Sequence, residues 1–106
     1  MRITITARHT EISPDLRARA RSLVERLVKV ATRAHNAQVV FGDDHGVATA
    51  ELRLHIMRGA VLVGRAEGGD HRSALDLAAA RVRRQLDKRP VKAKARRRRA
   101  VGREVE

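Results

Sequence analysis

Hydrophobic and polar residues alternate in four short segments of the chain, which predicts four β-strands. The segments are residues 2–7, 37–42, 48–57 and 60–67. In the first, Ile3 and Ile5 lie on one side and threonines on the other, as a half-buried strand requires. A turn is expected at residues 42–46, and the pair Arg58-Gly59 predicts a tight turn before the fourth strand. The third and fourth strands should therefore form an antiparallel hairpin.

Two longer segments instead repeat hydrophobic residues at helical spacing. Ser13 can cap the first, and Pro14 is tolerated at its first position, so a helix is expected from about residue 14 to residue 31 or slightly beyond. Its hydrophobic residues are Leu16, Ala20, Leu23, Val24, Leu27, Val30 and Ala31. Asp70 can cap the second helix, and Pro90 ends it. The hydrophobic residues of that helix are Ala74, Leu75, Ala78, Ala79, Val82 and Leu86.

The order of the predicted elements is β-α-β-β-β-α, which favours an α+β fold. The simplest arrangement packs two helices on one face of a four-stranded sheet around a single core. A chain of 106 residues is long enough for one domain, and we assign residues 1–88 to it. Residues 89–106 hold eight basic residues and few hydrophobic ones, so they are expected to form a basic, disordered tail.

The composition indicates a polyanionic partner. The chain has 24 Lys and Arg residues against 12 Asp and Glu, a formal net charge of +12 and a pI near 11.7. Residues 1–88 carry 16 basic and 10 acidic residues, so the folded part is basic without the tail. Phe41 is the only aromatic residue among Phe, Tyr and Trp. Proteins that recognise unpaired bases usually stack them on aromatic rings, which this chain nearly lacks. We therefore expect it to recognise the phosphates and the shape of folded RNA or DNA.

Basic residues follow one side of each predicted helix, with few acidic residues beside them. Those of the first helix are Arg19, Arg26, Lys29 and Arg33, and those of the second are Arg81, Arg84 and Lys88. If the helices pack side by side, these two stripes flank a groove or ridge of positive potential. The tail extends it with Arg96, Arg97, Arg98 and Arg99. The alternative is an ordinary solvated helix surface with pairs such as Glu25 and Lys29.

Four segments together carry a family resemblance. Residues 3–17, 66–70, 74–76 and 84–88 read ITITARHTEISPDLR, AEGGD, ALD and RQLDK. In this joint order they resemble the bacterial ribosome hibernation-promoting factors, also called ribosome-associated inhibitor or sigma-54 modulation proteins. The resemblance covers about residues 1–88 and agrees with the β-α-β-β-β-α order, although no single segment is specific.

The resemblance implies a protein that binds the small ribosomal subunit in the channel used by messenger and transfer RNA. It would block translation in starved or stationary cells, with its helices on ribosomal RNA. Positions that are basic in the family correspond to Arg26, Lys29, Arg81, Arg84 and Lys88. Where the family has a Met-Tyr pair this chain has His71-Arg72, so Arg72 is expected to replace the tyrosine contact through a phosphate. The length of 106 residues resembles that of the family's short forms, so the second domain of the long forms is not expected.

Two other functions are compatible with the sequence. A general double-stranded RNA or DNA-binding protein would share the basic surfaces, and a structural ribosomal protein would also be small and basic. An enzyme is not expected, because the one group of carboxylates with an imidazole, at residues 43–45, has the sequence of a turn. The chain has no cysteine. We therefore expect no cofactor, metal, small-molecule substrate or membrane partner, a cytoplasmic location, and a monomer away from the ribosome.

Overall fold

The computed structural model describes residues 2–31 and 33–88, in which two helices lie on one face of a four-stranded sheet. The elements are β1 (Arg2–Ala7), α1 (Pro14–Val30), β2 (Ala34–Asp44), β3 (Val47–Ile56), β4 (Ala60–Gly68) and α2 (His71–Lys88). A short 3-10 turn, Met57–Gly59, joins β3 to β4. The predicted α+β class and element order are confirmed. The predicted tail, residues 89–106, lies outside the described residues.

The sheet has the strand order β1-β2-β3-β4, so β1 and β4 are its edges. β1 pairs in parallel with β2, and the other two pairings are antiparallel. β1, β2 and β4 therefore run in the same direction. Each helix follows one of these strands and packs back along the sheet. The two helices consequently run parallel to each other, with both N-terminal ends at the same end of the sheet.

One hydrophobic core lies between the helices and the sheet. The strands contribute Ala37, Val39, Phe41, Ala50, Leu52, Leu54, Ile56, Leu62 and Ala66. The helices contribute Ala20, Val24, Leu27, Ala74, Leu75, Ala78, Ala79 and Val82. Burial of this apolar surface is the main force that holds the layers together. Val30 was predicted to face the core but is 43% exposed, because α1 ends there and Ala31 is buried instead.

The hairpin between β2 and β3 differs from the sequence prediction. β2 is longer than expected, since backbone pairs with β3 run from Ala34 and Ile56 to Asp44 and Val47. The loop consists of residues 45–46, whose φ angles are 55° and 87°. These values fit a two-residue hairpin turn with both central residues left-handed. The prediction that residues 42–44 belong to the turn was wrong, because the long β3 offers these polar residues backbone partners.

Gly64 allows α2 to lie very close to β4. A Cβ atom at this position would be 2.2 Å from the carbonyl oxygen of Ala78 and 2.8 Å from Cγ2 of Val82. Both distances are shorter than real Cβ contacts, so only glycine fits here without movement of the helix. The close approach brings the long polar side chains of α2 within reach of the β4 backbone.

Both helix starts predicted from the sequence are confirmed. The backbone N–H of Leu16 donates to Ser13 Oγ at 3.0 Å, and that of Ser73 donates to Asp70 Oδ1 at 2.8 Å. The bond from the Ser73 backbone, followed by that from its hydroxyl, holds the pKa of Asp70 below its usual value, with smaller contributions from Arg72 and His71. Neither helix of the described part combines the length and hydropathy that a membrane span needs.

Candidate nucleic-acid-binding surface

The helix layer, formed by α1 and α2, is strongly basic. Each helix contains five Lys or Arg residues and two Asp or Glu residues. Of the predicted RNA-binding residues, Arg26, Lys29, Arg33, Arg72, Arg81, Arg84 and Lys88 are exposed. Arg19 is only partly exposed, and Arg96, Arg97, Arg98 and Arg99 lie outside the described residues. The layer therefore offers anions a set of solvent-accessible guanidinium and ammonium groups on a folded support.

Arg19 forms an ion pair that joins the two helices. Its Nε donates to Asp76 Oδ1 at 3.0 Å, and its Nη2 donates to Oδ2 at 3.1 Å. No local sequence pattern predicts this partner, since the two positions are 57 residues apart. The side chains are 35% and 42% exposed, so the pair stabilises the fold by only about 0.5–1 kcal/mol. The charge of Arg19 is thus partly neutralised, and its main contact is with α2.

Arg81 and Gln85 contact the sheet edge and not the other helix. Arg81 Nη1 donates to the carbonyl oxygen of Arg65, and Gln85 Nε2 donates to that of Val63 at 2.6 Å. Since these carbonyls are neutral, Arg81 keeps its positive charge and its remaining N–H donors. Gln85 was not singled out from the sequence, and its position one turn after Arg81 is the only local sign that they act together.

The two predicted stripes do not face each other across a groove. Arg19 and Arg26 line a cavity of about 380 Å³ on the flank of α1 that Asp76 contacts. Arg81 lies on the opposite flank of α2, above the β4 edge, and Lys88, seven residues later, lies on the same side. The two basic stripes therefore resemble the predicted ridge of positive potential more than the predicted groove. Arg33 follows the C-terminal end of α1 and leads into β2.

Arg72 lies where the N-terminal ends of the helices meet. It lines a shallow cavity of about 500 Å³ together with Ser13, Asp15, Leu16, Arg19, Asp70 and His71. His71, which sequence reasoning did not assign a role, donates from Nε2 to the carbonyl oxygen of Gly42 at 2.8 Å. Its ring also meets Phe41 edge-on, with centroids 6.0 Å apart. These contacts tie the start of α2 to β2 and hold Arg72 at the surface.

The open face of the sheet, opposite the helices, has a more balanced charge. Its basic side chains, Arg2, Arg53 and Arg65, accompany Glu51 and Glu67 on neighbouring strands. Arg53 Nε donates to Glu51 Oε2 at 2.5 Å, which removes one free cation from this face. The helix layer is therefore the better candidate for contact with a polyanion.

The described residues do not assemble an evident metal centre. No group of three or more His, Cys, Asp or Glu side chains within residues 2–31 and 33–88 is arranged to hold a metal ion. In the hairpin turn, His45 Nδ1 lies 2.7 Å from Asp44 Oδ1, and both side chains are solvent-accessible. The contact is that of a solvated loop.

Comparisons with known proteins agree with the fold. Residues 3–94 match the model of a family described as sigma 54 modulation protein / S30EA ribosomal protein. A ribosomal subunit interface protein from Coxiella burnetii is similar in structure, with a TM-score of 0.75, 23% identity, and coverage of 83% of this chain and 96% of that one. The N-terminal domain of Thermus thermophilus Protein Y has a TM-score of 0.70 and 26% identity, with coverage of 81% and 96%. No curated protein sequence matches the chain.

Proposed function

The chain belongs to the sigma 54 modulation protein / S30EA ribosomal protein family, and from this premise we propose that it is a ribosome-binding translation inhibitor. It occupies the channel of messenger and transfer RNA on the small subunit under stress or in stationary phase. The family match over residues 3–94 is the observation that carries the proposal. The structurally similar protein from Coxiella burnetii is a ribosomal subunit interface protein, which supports the same partner.

The exposed basic side chains of the helix layer indicate how the protein would bind ribosomal RNA. The exposed side chains of Arg26, Lys29, Arg84 and Lys88 each fit a phosphate of folded ribosomal RNA. No described Phe, Tyr or Trp side chain is exposed for base stacking, because the one such residue, Phe41, is fully buried. Recognition therefore rests on the RNA backbone and on shape. Inhibition follows from occupancy alone, since a folded domain held in the channel excludes the ligands that use it.

Residues 89–106 add charge to this binding surface in the proposed function. They carry eight basic and two acidic residues. A basic segment joined to a bound domain raises the local concentration of cations near RNA without choosing the site. Its arginines at positions 96–99 stay a prediction, to be tested by removing residues 89–106 and mapping the ribosomal RNA footprint.

Ribosome binding can be tested with a charge-reversed variant. Wild-type protein should co-sediment with small subunits and inhibit cell-free translation. Reversal of four residues, Arg26→Glu, Lys29→Glu, Arg84→Glu and Lys88→Glu, should abolish both while the circular dichroism spectrum stays unchanged. A control variant reverses two residues on the open face, Arg2→Glu and Arg65→Glu, and it should keep most of the affinity. Equal losses in the two variants would contradict binding through the helix layer.

Two further outcomes separate the proposal from the alternatives. A general duplex-binding protein would bind naked double-stranded RNA as tightly as small subunits at the same salt concentration. A structural ribosomal protein would occupy ribosomes in every growth phase. The proposed inhibitor should instead prefer ribosomes, with an occupancy that rises in stationary phase, as measured by immunodetection across sucrose gradients.

A further inference from the structure

Side chains of the helices donate hydrogen bonds to the outward-facing backbone of both edge strands. On β1, Arg17 Nη1 donates to the carbonyl oxygen of Ile5 at 3.1 Å. On β4, Gln85 and Arg81 donate to the carbonyls of Val63 and Arg65. The N–H and C=O of one strand residue point to the same side, so these residues direct both groups away from the sheet. Such groups would otherwise be free to pair with another strand.

The two edges differ in what they would offer a second strand. β1 is six residues long, and its exposed side chains are polar: Arg2, Thr4 and Thr6. β4 is nine residues long and pairs with β3 over its whole length. Val61 and Val63 on β4 are 41% and 38% exposed. A long edge strand with an unbroken register and exposed valines is the kind that associates with other strands.

We propose that Arg81 and Gln85 close the β4 edge, the outward backbone groups of Val61, Val63 and Arg65, against pairing with a second copy of this chain. An antiparallel pair of β4 strands is isologous, so one strand can supply both sides of the contact. It would satisfy the outward N–H and C=O groups and bury the valines of both copies. Arg81 and Gln85 prevent this, because their donors already occupy two of the acceptors that the second strand needs.

The position of α2 explains why these side chains reach the edge. Gly64 lies on the same strand, and the absence of its Cβ lets α2 pack against β4 at very short range. Arg81 and Gln85 are one helical turn apart, so they meet carbonyls two residues apart along β4. Arg81 therefore has a role at the sheet edge that is independent of any contact with RNA.

The test is the oligomeric state of a double variant, Arg81→Ala with Gln85→Ala. Wild-type protein should stay monomeric as its concentration rises, whereas the mass of the variant should rise towards that of a dimer. Light scattering after gel filtration and sedimentation equilibrium both measure this. The matched control is Arg83→Ala with Asp87→Ala, which removes an exposed ion pair of 3.2 Å on the same helix without opening the edge. The control should stay monomeric.

A third substitution locates the contact. Val63→Pro, added to the double variant, should restore the monomer, because it removes an outward N–H that the sheet does not use. A folded double variant that stays monomeric at its highest soluble concentration would overturn the proposal. A dimer that persists with Val63→Pro would overturn it as well, since association would then occur elsewhere. If the double variant does not fold, the single variants, each of which frees one carbonyl, decide by the same measurements.

Discussion

The two helices lie on the same face of one sheet and have the same numbers of basic and acidic residues, yet they are held in different ways. α2 buries five residues and lies directly against Gly64 of β4, whereas α1 buries three residues. The ion pair of Arg19 with Asp76 adds a polar link from α1 to α2. The two helices thus carry equal charge but pack differently against the sheet. The role of a charged helix residue can be assigned only after its contacts are known.

The difference extends to the basic side chains themselves. On α1, the side chains of Arg26 and Lys29 make no hydrogen bond or ion pair within residues 2–31 and 33–88. On α2, Arg81 is bound to the backbone of β4 while Arg84 and Lys88 stay exposed. Both helices bind an edge strand, but on α1 this contact comes from Arg17, which is not among the predicted RNA-binding residues. On α2 it comes from Arg81, which is one of them. We therefore infer that Arg26 and Lys29 of α1 serve only as a binding surface, whereas Arg81 also closes the sheet edge.

The largest expected effect comes from separating α2 from the sheet. Gly64→Ala places a methyl group against the backbone of Ala78, so α2 must shift, and the free energy of unfolding should fall by about 3 kcal/mol. Denaturant unfolding measures this loss. Gly69→Ala is the matched control, because a Cβ there meets nothing within 4 Å. If both variants were equally stable, the close contact of α2 with β4 would not be the feature that holds this helix.

The next effect divides RNA binding between the helices. Arg26→Glu with Lys29→Glu on α1, and Arg84→Glu with Lys88→Glu on α2, should each weaken binding to small subunits by roughly 10- to 100-fold. Each pair should also flatten the dependence of log affinity on log salt by about 1.5 units, since two phosphate contacts are lost. Filter binding at several salt concentrations measures both quantities. Loss confined to one helix would show that the other does not contact RNA.

A smaller effect is expected from the link between the helices. A double-mutant cycle with Arg19→Ala and Asp76→Ala should give a coupling energy of about 0.5–1 kcal/mol that decreases with salt, because both side chains are partly exposed. Arg19→Ala should also reduce RNA affinity less than Arg26→Ala, since its charge is already paired. A larger loss for Arg19 than for Arg26 would show that the ion pair opens on binding.

The smallest expected effect is a difference between the two helix caps in how their contribution to Tm depends on pH. The pKa of Asp70 is lowered in the folded state, so its stabilising bond to Ser73 is complete above the usual value of 3.8 and is lost as the pH falls through the folded pKa. Asp70→Ala should therefore lower Tm at neutral pH, and its difference from wild type should disappear in acid. Ser13→Ala is the corresponding cap substitution on α1, where the hydroxyl does not titrate. Its effect on Tm should not depend on pH through this group, and an Asp70 effect that persisted in acid would contradict the titration.

The elements and their order follow from local patterns in the amino-acid sequence. Alternation and helical spacing predicted all four strands and both helices, and Ser13 and Asp70 marked the helix starts correctly. These signals are local, because a cap or an amphipathic face depends on residues within one or two turns. The exposure of the basic helix residues was predictable for the same reason. The extension of β2 into the expected turn was not, since it depends on pairing with β3.

Which charged side chains are paired and which are free depends on contacts between distant parts of the chain. The partner of Arg19 is 57 residues away, and the carbonyl bound by Arg81 is 16 residues away on another element. Such contacts depend on how closely the helices approach the sheet and on strand register, and neither is encoded within a short segment of sequence. The roles of Gln85 and Gly64 appear for the same reason only once α2 lies on β4.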